Sequence, residues 1–378
     1  MTEDPEGPAG PEPPASREEL IDWLRLARSR RVGPVTFLRL TREHGSAARA
    51  LRALPGLASE AGLRDYAPFP REAAEAELRA GAALGARPLA LGAADYPPRL
   101  ARIPDPPPLV WALGDPALAA RPAVALVGAR NASALGCRMA ARLARDLGAA
   151  GFVVVSGLAR GIDAAAHRAA LDGGTVAIQA GGVDEVYPPE NAELAAAIGA
   201  GGLRLSEMPM GHPPRTRDFP RRNRIISGLA LGVVVVEGAL RSGSLITARA
   251  ALDQGREVMA VPGNPLDARA AGCNALIRDG ALLVRDAGDV LEALAPAAAR
   301  RGVIRVPRPA PAAPPPEGGE LGSRLLALLG PTPIAEDALI RDLGGRAAEV
   351  AAALLDLELA GHVLRHPGGG VGLAPGAG

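Results

Sequence analysis

Lysine is missing from this chain: all 42 of its basic residues are arginine. Arginine richness is therefore a property of the whole composition and says little about nucleic acid by itself. Aromatic residues make up 2% against 48% hydrophobic, so a core has to be built from Ala, Leu and Val. The two cysteines, Cys137 and Cys273, are too few for a disulfide framework or a zinc site. Both fall in helical segments and read as inert core thiols. An excess of one charge is lacking too. The formal net charge of +1 gives no global steering toward polyanions, so any affinity for DNA has to come from a local cluster. No uninterrupted apolar run of about 18 residues occurs, which argues against a membrane span. The start, MTEDPEGPAGPEPPAS, is acidic and Pro-rich and unlike a signal peptide. A soluble cytoplasmic protein is expected, its 378 residues divided into two or three domains.

Residues 1–15 read as a disordered tail. Over 16–82 the pattern is helical, with Leu20, Trp23, Leu24 and Ala27 at helical spacing. Two Gly-containing segments, RRVGPVTFLRL and RALPGLASEAGL, could each be the turn of a helix-hairpin-helix unit that aims backbone N–H groups at a DNA phosphate. They fit a small helical bundle equally well. Residues 84–116 are Pro-dense and allow one or two strands but no long helix. From Pro122 to about Ala295, short apolar runs (AVALV, FVVVS, TVAIQA, LRLSE, GVVVVE, EVMAVP and ALLV) alternate with helical segments. That alternation predicts an α/β fold, a Rossmann-like, doubly wound, mostly parallel sheet covered on both faces. Its ligands should sit at the carboxyl ends of the strands. This domain is placed at 83–295, a Pro/Ala linker at 296–320, and a small winged-helix-like domain at 321–378.

The strand ends carry the candidate chemistry. The first is VGARNASALG, where Gly128 and Gly136 would let amides approach a phosphate at a helix N-terminus and Arg130 could add a bidentate contact. It matches neither G-x-G-x-x-G nor the P-loop. The second strand ends in Ser156 and Gly157, where a dinucleotide binder would carry an acid. No cofactor or metal is expected. Ser156, Gly157, Arg160 and Gly161 make a second Gly/Arg turn. Asp163 and His167 share one helical face and read as a structural pair, since no nucleophile accompanies them. Between His212 and Arg224 lie Arg215, Arg217, Arg221, Arg222 and Arg224 against Asp218, a formal +4 in a chain that totals +1. Phe219 stands among them, and guanidinium and aromatic planes in a positive groove are how unpaired bases are held. Arg241, Ser242, Gly243 and Ser244 open a further helix, and parallel strands should bring all these loops to one rim.

Taken together, VGARNASALG, SGLARGIDAAAH, AGGVDEVYPPEN, SEMPMGHPP, FPRRNRIISGLALGVVVVEGALRSGSLITARAALDQGREVMAVPG and GCNALIRDGA resemble the DNA processing protein A family (DprA, also called Smf) over roughly residues 85–290. The resemblance implies a non-catalytic Rossmann-like domain that binds single-stranded DNA, forms a homodimer and hands the strand to the recombinase RecA in natural transformation. It also implies an N-terminal helical domain of SAM or helix-hairpin-helix type and a C-terminal winged helix. The family's G-[ST]-R falls on Gly128, Ala129 and Arg130, with Ala129 in place of a hydroxyl residue. S-G-x-A-x-G-I-D falls on Ser156 to Asp163, F-P-x-R-N-R-I-I-S on Phe219 to Ser227, and S-G-[ST] on Ser242 to Ser244. Gly238 follows Glu237 where the family has alanine.

Two other readings are weighed against this. A nucleotide-processing enzyme of the phosphoribohydrolase kind would carry P-G-G-x-G-T, which neither VPGNPLD nor AGGVDE supplies, and fold alone does not fix function. A scaffold protein could use the winged helix on duplex DNA or on a protein, because LRHPGGGVG is not notably basic.

Overall fold

The computed structural model describes residues 11–299, 320–329, 333–343, 347–366 and 369–374. The first ten residues of the expected tail and 300–319 of the expected linker lie outside the described residues. The chain forms two compact units, divided at Val306 and Pro307.

The first unit opens with four helices, α1 (Arg17–Arg28), α2 (Pro34–His44), α3 (Ala47–Glu60) and α4 (Arg71–Leu84). Ser16 and Ser46 cap α1 and α3 by accepting backbone N–H bonds, which satisfies donors a helix start leaves open. The turn between α2 and α3 is Gly45–Ser46, Gly45 being left-handed at φ 77°. The segment RALPGLASEAGL was expected to turn. Instead α3 runs through Pro55 and Gly56. Its buried stripe of Ala50, Leu51, Leu54 and Ala58 outweighs one exposed proline.

These helices do not keep a core of their own. Ile21, Trp23, Leu24, Phe37 and Leu78 share one apolar cluster with Trp111, Val155 and Ile178 of the sheet. Gly81 of α4 lies so close to Trp111 that a Cβ there would fall 2.3 Å from the indole. Glu77 accepts the Trp111 indole N–H at 2.8 Å and pairs with Arg28 at 2.8 Å.

The sheet has nine strands: β1 (Arg87–Ala90), β2 (Leu109–Gly114), β3 (Ala123–Val127), β4 (Val153–Ser156), β5 (Thr175–Ile178), β6 (Leu203–Ser206), β7 (Gly232–Val235), β8 (Glu257–Ala260) and β9 (Leu282–Leu283). Their order is β1-β2-β6-β5-β4-β3-β7-β8-β9. Strands β3 to β9 are parallel, and β1 and β2 add an antiparallel edge. Each run expected to be a strand is one. The helices are α5 (Ala134–Ala149), α6 (Ile162–Ala169), α7 (Ala192–Gly201), α8 (Asp218–Leu229), α9 (Gly243–Asp253), α10 (Ala271–Arg278) and α11 (Ala287–Ala299). The last of these continues past the expected start of the linker. Along β3, Ala123, Ala125 and Val127 pack into one core while Val124 and Leu126 pack into a second with α5 and α6. The sheet is therefore covered on both faces. The chain winds from β3 to β6 in one direction, then returns to β7 on the other side of β3. The carboxyl ends of β3 and β7 thus flank the switch point where doubly wound folds bind ligands.

The second unit holds α12 (Glu320–Leu328), β10 (Ile334–Ala335), α13 (Glu336–Leu343), α14 (Ala347–Leu359), β11 (Val363–His366) and β12 (Gly370–Leu373). Its three strands pair in the order β10-β12-β11, and Leu325, Leu339, Val350, Leu354 and Val371 form its own core.

Candidate nucleic-acid interface

Two of the loops expected to offer backbone amides to phosphate have turned several of them inward. After β3, Ser133 caps α5 by accepting the Gly136 N–H at 2.9 Å. The Glu237 carboxylate, arriving from the end of β7, accepts the Ser133 N–H at 2.8 Å and the Ser133 hydroxyl. A Cβ on Gly136 would fall 2.5 Å from that carboxyl carbon. The position at a helix N-terminus that favours a phosphate is thus filled by the chain's own carboxylate.

After β4, Asp163 accepts the N–H groups of Gly157 and Ala159 at 3.1 and 3.3 Å, and His167 Nε2 accepts that of Leu158 at 3.3 Å. Ser156 is fully buried, and its hydroxyl donates to Leu126 O at 2.6 Å. It was expected to face DNA, but a strand carbonyl consumes it. Gly161, left-handed at φ 72°, sits where a Cβ would fall 2.3 Å from Ala129 O, so it locks the second loop onto the first. Asp163 and His167 are structural, and they hold the loop rather than each other. Burial raises the Asp163 pKa against the pull of Arg222 and these backbone bonds. Burial holds His167 at about 3.

What the loops leave open is a cleft of two adjoining cavities, about 320 and 540 Å³. Both are lined by Arg130, Asn131, Ala159, Phe219 and Arg222. The smaller adds Gly157, Arg160, Tyr187 and Pro188. The larger spans the switch point and adds Gly128, Ala129, Asn223 and the α9 start at Arg241, Ser242, Gly243 and Ser244. The Arg130 guanidinium lies 4.7 Å from the Phe219 ring centroid, and Tyr187 meets that ring edge-on at 5.7 Å. Arg130 is exposed and makes no ion pair among the described residues. Arg160 is exposed but pairs with Glu190.

Arg222 forms the floor. It is 5% exposed, and a Cβ on Gly157 would fall 1.4 Å from its Nη1. The guanidinium therefore rests on bare backbone. Burial lowers its pKa to about 10, with Asp163 acting to raise it and Arg130 to lower it, which leaves it charged at neutral pH.

The basic segment around Phe219 is divided. Arg215 and Arg217 are exposed. Arg221 reaches Glu207 at 3.6 Å. Arg224, 12% exposed, is bound between Glu207 and Asp105 at 2.5 and 3.1 Å. Arg224 lines neither cavity and serves the protein interior, so the formal +4 is not all on the surface. Asp218 opens α8. Burial acts to raise its pKa, but bonds from His212 and the Arg215 amide, with Arg221 nearby, bring it down overall. Ser242 caps α9, and Ser244 is buried beneath it. Tyr187, Asn131, Asn223 and Arg269 also line the cleft and were not singled out as contacts. Tyr187, in the stretch DEVYPPEN of a chain so poor in aromatics, was the one with a readable signal.

Among the described residues no group of His, Cys, Asp and Glu is placed to hold a metal, and no helix is long and apolar enough to cross a membrane. The family model described as DNA recombination-mediator protein A matches residues 87–295. The DprA-like N-terminal HHH domain matches 17–80, and the DprA winged helix domain matches 308–369. Protein Smf of Escherichia coli is 40% identical over 287 residues, covering 74% of this chain and 75% of its own. Among solved structures, DNA processing protein A of Streptococcus pneumoniae aligns with a TM-score of 0.53 at 43% identity, covering 55% of this chain and 73% of that one. DNA processing protein A of Helicobacter pylori, described for its single-stranded DNA binding mode, aligns at 0.52 and 28% identity, covering 56% and 96%.

Proposed function

The chain belongs to the DNA recombination-mediator protein A family, and from that premise we propose that it binds single-stranded DNA in the cleft between the β3, β4 and β7 loops. It does so without altering the strand chemically and delivers it to the recombinase RecA in transformation and recombination, acting as a homodimer in the cytoplasm. One observation carries this reading: Arg130, Phe219 and Tyr187 form a guanidinium–aromatic platform over a buried cation, Arg222. Stacking surfaces beside positive charge suit unpaired bases and are indifferent to sequence. The Helicobacter pylori relative's single-stranded DNA binding mode supports the same assignment. A nucleotide-processing reading would need the P-G-G-x-G-T loop, which neither VPGNPLD nor AGGVDE supplies.

The test is an anisotropy titration of oligo-dT and a blunt duplex. Oligo-dT is expected to bind more tightly. Phe219→Ala and Arg130→Ala should each weaken oligo-dT by about 1–3 kcal/mol, the worth of one stacked base. Equal affinity for both probes, or no effect of either change, refutes the site. RecA filament assembly followed in the same sample tests delivery.

A further inference from the structure

A second concentration of positive charge lies outside the cleft. From Arg30 to Arg52 there are six arginines against the single acid Glu43, a formal +5 in a chain that totals +1. Arg30 and Arg31 stand in the turn after α1, Arg39 and Arg42 on α2, Arg49 and Arg52 on α3. All six are exposed, and none makes an ion pair among the described residues. The pairs on α2 and α3 are spaced i, i+3, which puts each pair on one helical face. That face is the solvent side, because Phe37, Leu40, Ala50, Leu51 and Leu54 turn the other side into the core. Arg49 folds back to the Gly45 turn, its Nη1 3.7 Å from where a Cβ would stand there, and Arg42 sits in the last turn of α2.

Glu43 is the only acid on the hairpin, so five of the six charges are unbalanced there and open to solvent. Its chemistry also differs from that of the cleft. Between Arg30 and Arg52 the one aromatic, Phe37, is fully buried. The neighbouring ring, Tyr66, is already engaged by Arg30 at 5.5 Å to its centroid, and exposed guanidinium groups spread along two helices suit a continuous phosphate backbone better than unpaired bases. It is connected to the cleft through the protein itself. Arg28, two residues before Arg30, donates to Glu207 O at 2.9 Å, and the Glu207 carboxylate holds Arg221, whose chain neighbours Pro220 and Arg222 line the cleft.

We propose that the arginine face of the α2–α3 hairpin is a second DNA-binding surface, which takes the phosphate backbone of duplex DNA while the cleft takes an unpaired strand. The protein then grips a junction between the two forms. The junction part rests on the reading of the cleft given above; the duplex part stands without it.

The test uses the full chain and three labelled probes: a dT tail, a blunt duplex, and the duplex carrying that tail. The variant R39Q/R42Q/R49Q/R52Q changes exposed residues only. Wild type is expected to bind the tailed duplex about tenfold or more tightly than the tail alone. The quadruple variant should lose that gain, bind the blunt duplex more weakly with a log–log salt slope shallower by about 3–4, and keep its affinity for the tail. Arg130→Ala should do the reverse, losing the tail and keeping the duplex. Blunt duplex bound equally by wild type and the quadruple variant, with equal salt slopes, overturns the second surface. Failure to bind the dT tail overturns the cleft and leaves the duplex comparison to judge the hairpin.

Discussion

Acid should loosen the loop that carries Gly157 and Arg160, and His167 sets the size of the effect. Its Nε2 accepts the Leu158 N–H, so Nδ1 carries the proton and donates to Thr175 Oγ1 at 2.7 Å; Thr175 in turn donates to Val154 O. Protonating Nε2 breaks the first of these bonds and buries a charge near Arg222, and burial, helped by Arg222, holds the pKa at about 3. An imidazole in the unfolded chain titrates near 6.5. Between those values the unfolded chain binds a proton that the folded chain refuses. Stability is therefore complete above about pH 6.5 and falls by about 1.4 kcal/mol for each unit below it. Going to about pH 4.5 costs about 3 kcal/mol, a large part of a typical total of about 5–15. Asp163 acts with the opposite sign. Its raised carboxyl pKa lets the folded chain take up a proton before the unfolded one does, so it returns stability toward the acid end. Urea unfolding followed by circular dichroism across this range measures the sum. His167→Gln keeps an acceptor for Leu158 but cannot titrate. It should lose about 1–2 kcal/mol at neutral pH and show a much flatter acid slope. Parallel profiles for wild type and His167→Gln would refute the argument.

Two further changes separate stability from binding. Arg224→Ala leaves the nearly buried Glu207 carboxylate with only the more distant Arg221. It should destabilise by about 2–4 kcal/mol in urea while oligo-dT affinity at low denaturant changes less than for Arg130→Ala; the opposite ranking would place Arg224 in the cleft. Gly157→Ala puts a methyl into the Arg222 guanidinium, so a loss of about 1–3 kcal/mol from overpacking should come with weaker oligo-dT binding. Unchanged melting and affinity would show that Arg222 does not rest there.

The positions of the strands could be read directly, because buried parallel strands show as short continuous apolar runs, and every such run proved to be one. Arg130 could be read from its place at a strand end, and Phe219 as the one aromatic within the arginine run that opens α8. The inward turn of Arg222 and Arg224 could not. Both stand in a run of arginines that looks alike residue by residue. Their partners, Asp163, Glu207 and Asp105, come from the α6 start, the end of β6 and the Pro-rich segment before β2. Charge runs reveal how many cations there are but not which of them the fold neutralises. The α2–α3 cluster was passed over for a related reason: its arginines are spread over two helices and a turn, so no short window shows them together. Pro55 misled in the other direction, since a breaker in one position yields to an apolar stripe that continues on both sides of it.

The internal carboxylates order the Gly-rich loops of this Rossmann-like sheet from within the chain. Glu237 closes the anion position at α5, and Asp163 gathers the amides before α6. Each replaces a phosphate with a group the chain supplies, so the loops are shaped before any ligand arrives. A cost follows. Amides spent in this way cannot grip DNA, so on the proposed reading phosphate contacts fall to side chains at the rim, where Arg130 and Arg241 are exposed above the buried Arg222. Guanidinium groups on flexible stems set no fixed spacing between phosphates, whereas ordered amides would. A cleft of this kind suits a strand whose sequence and local geometry vary along its length, and it has little means of selecting one nucleotide.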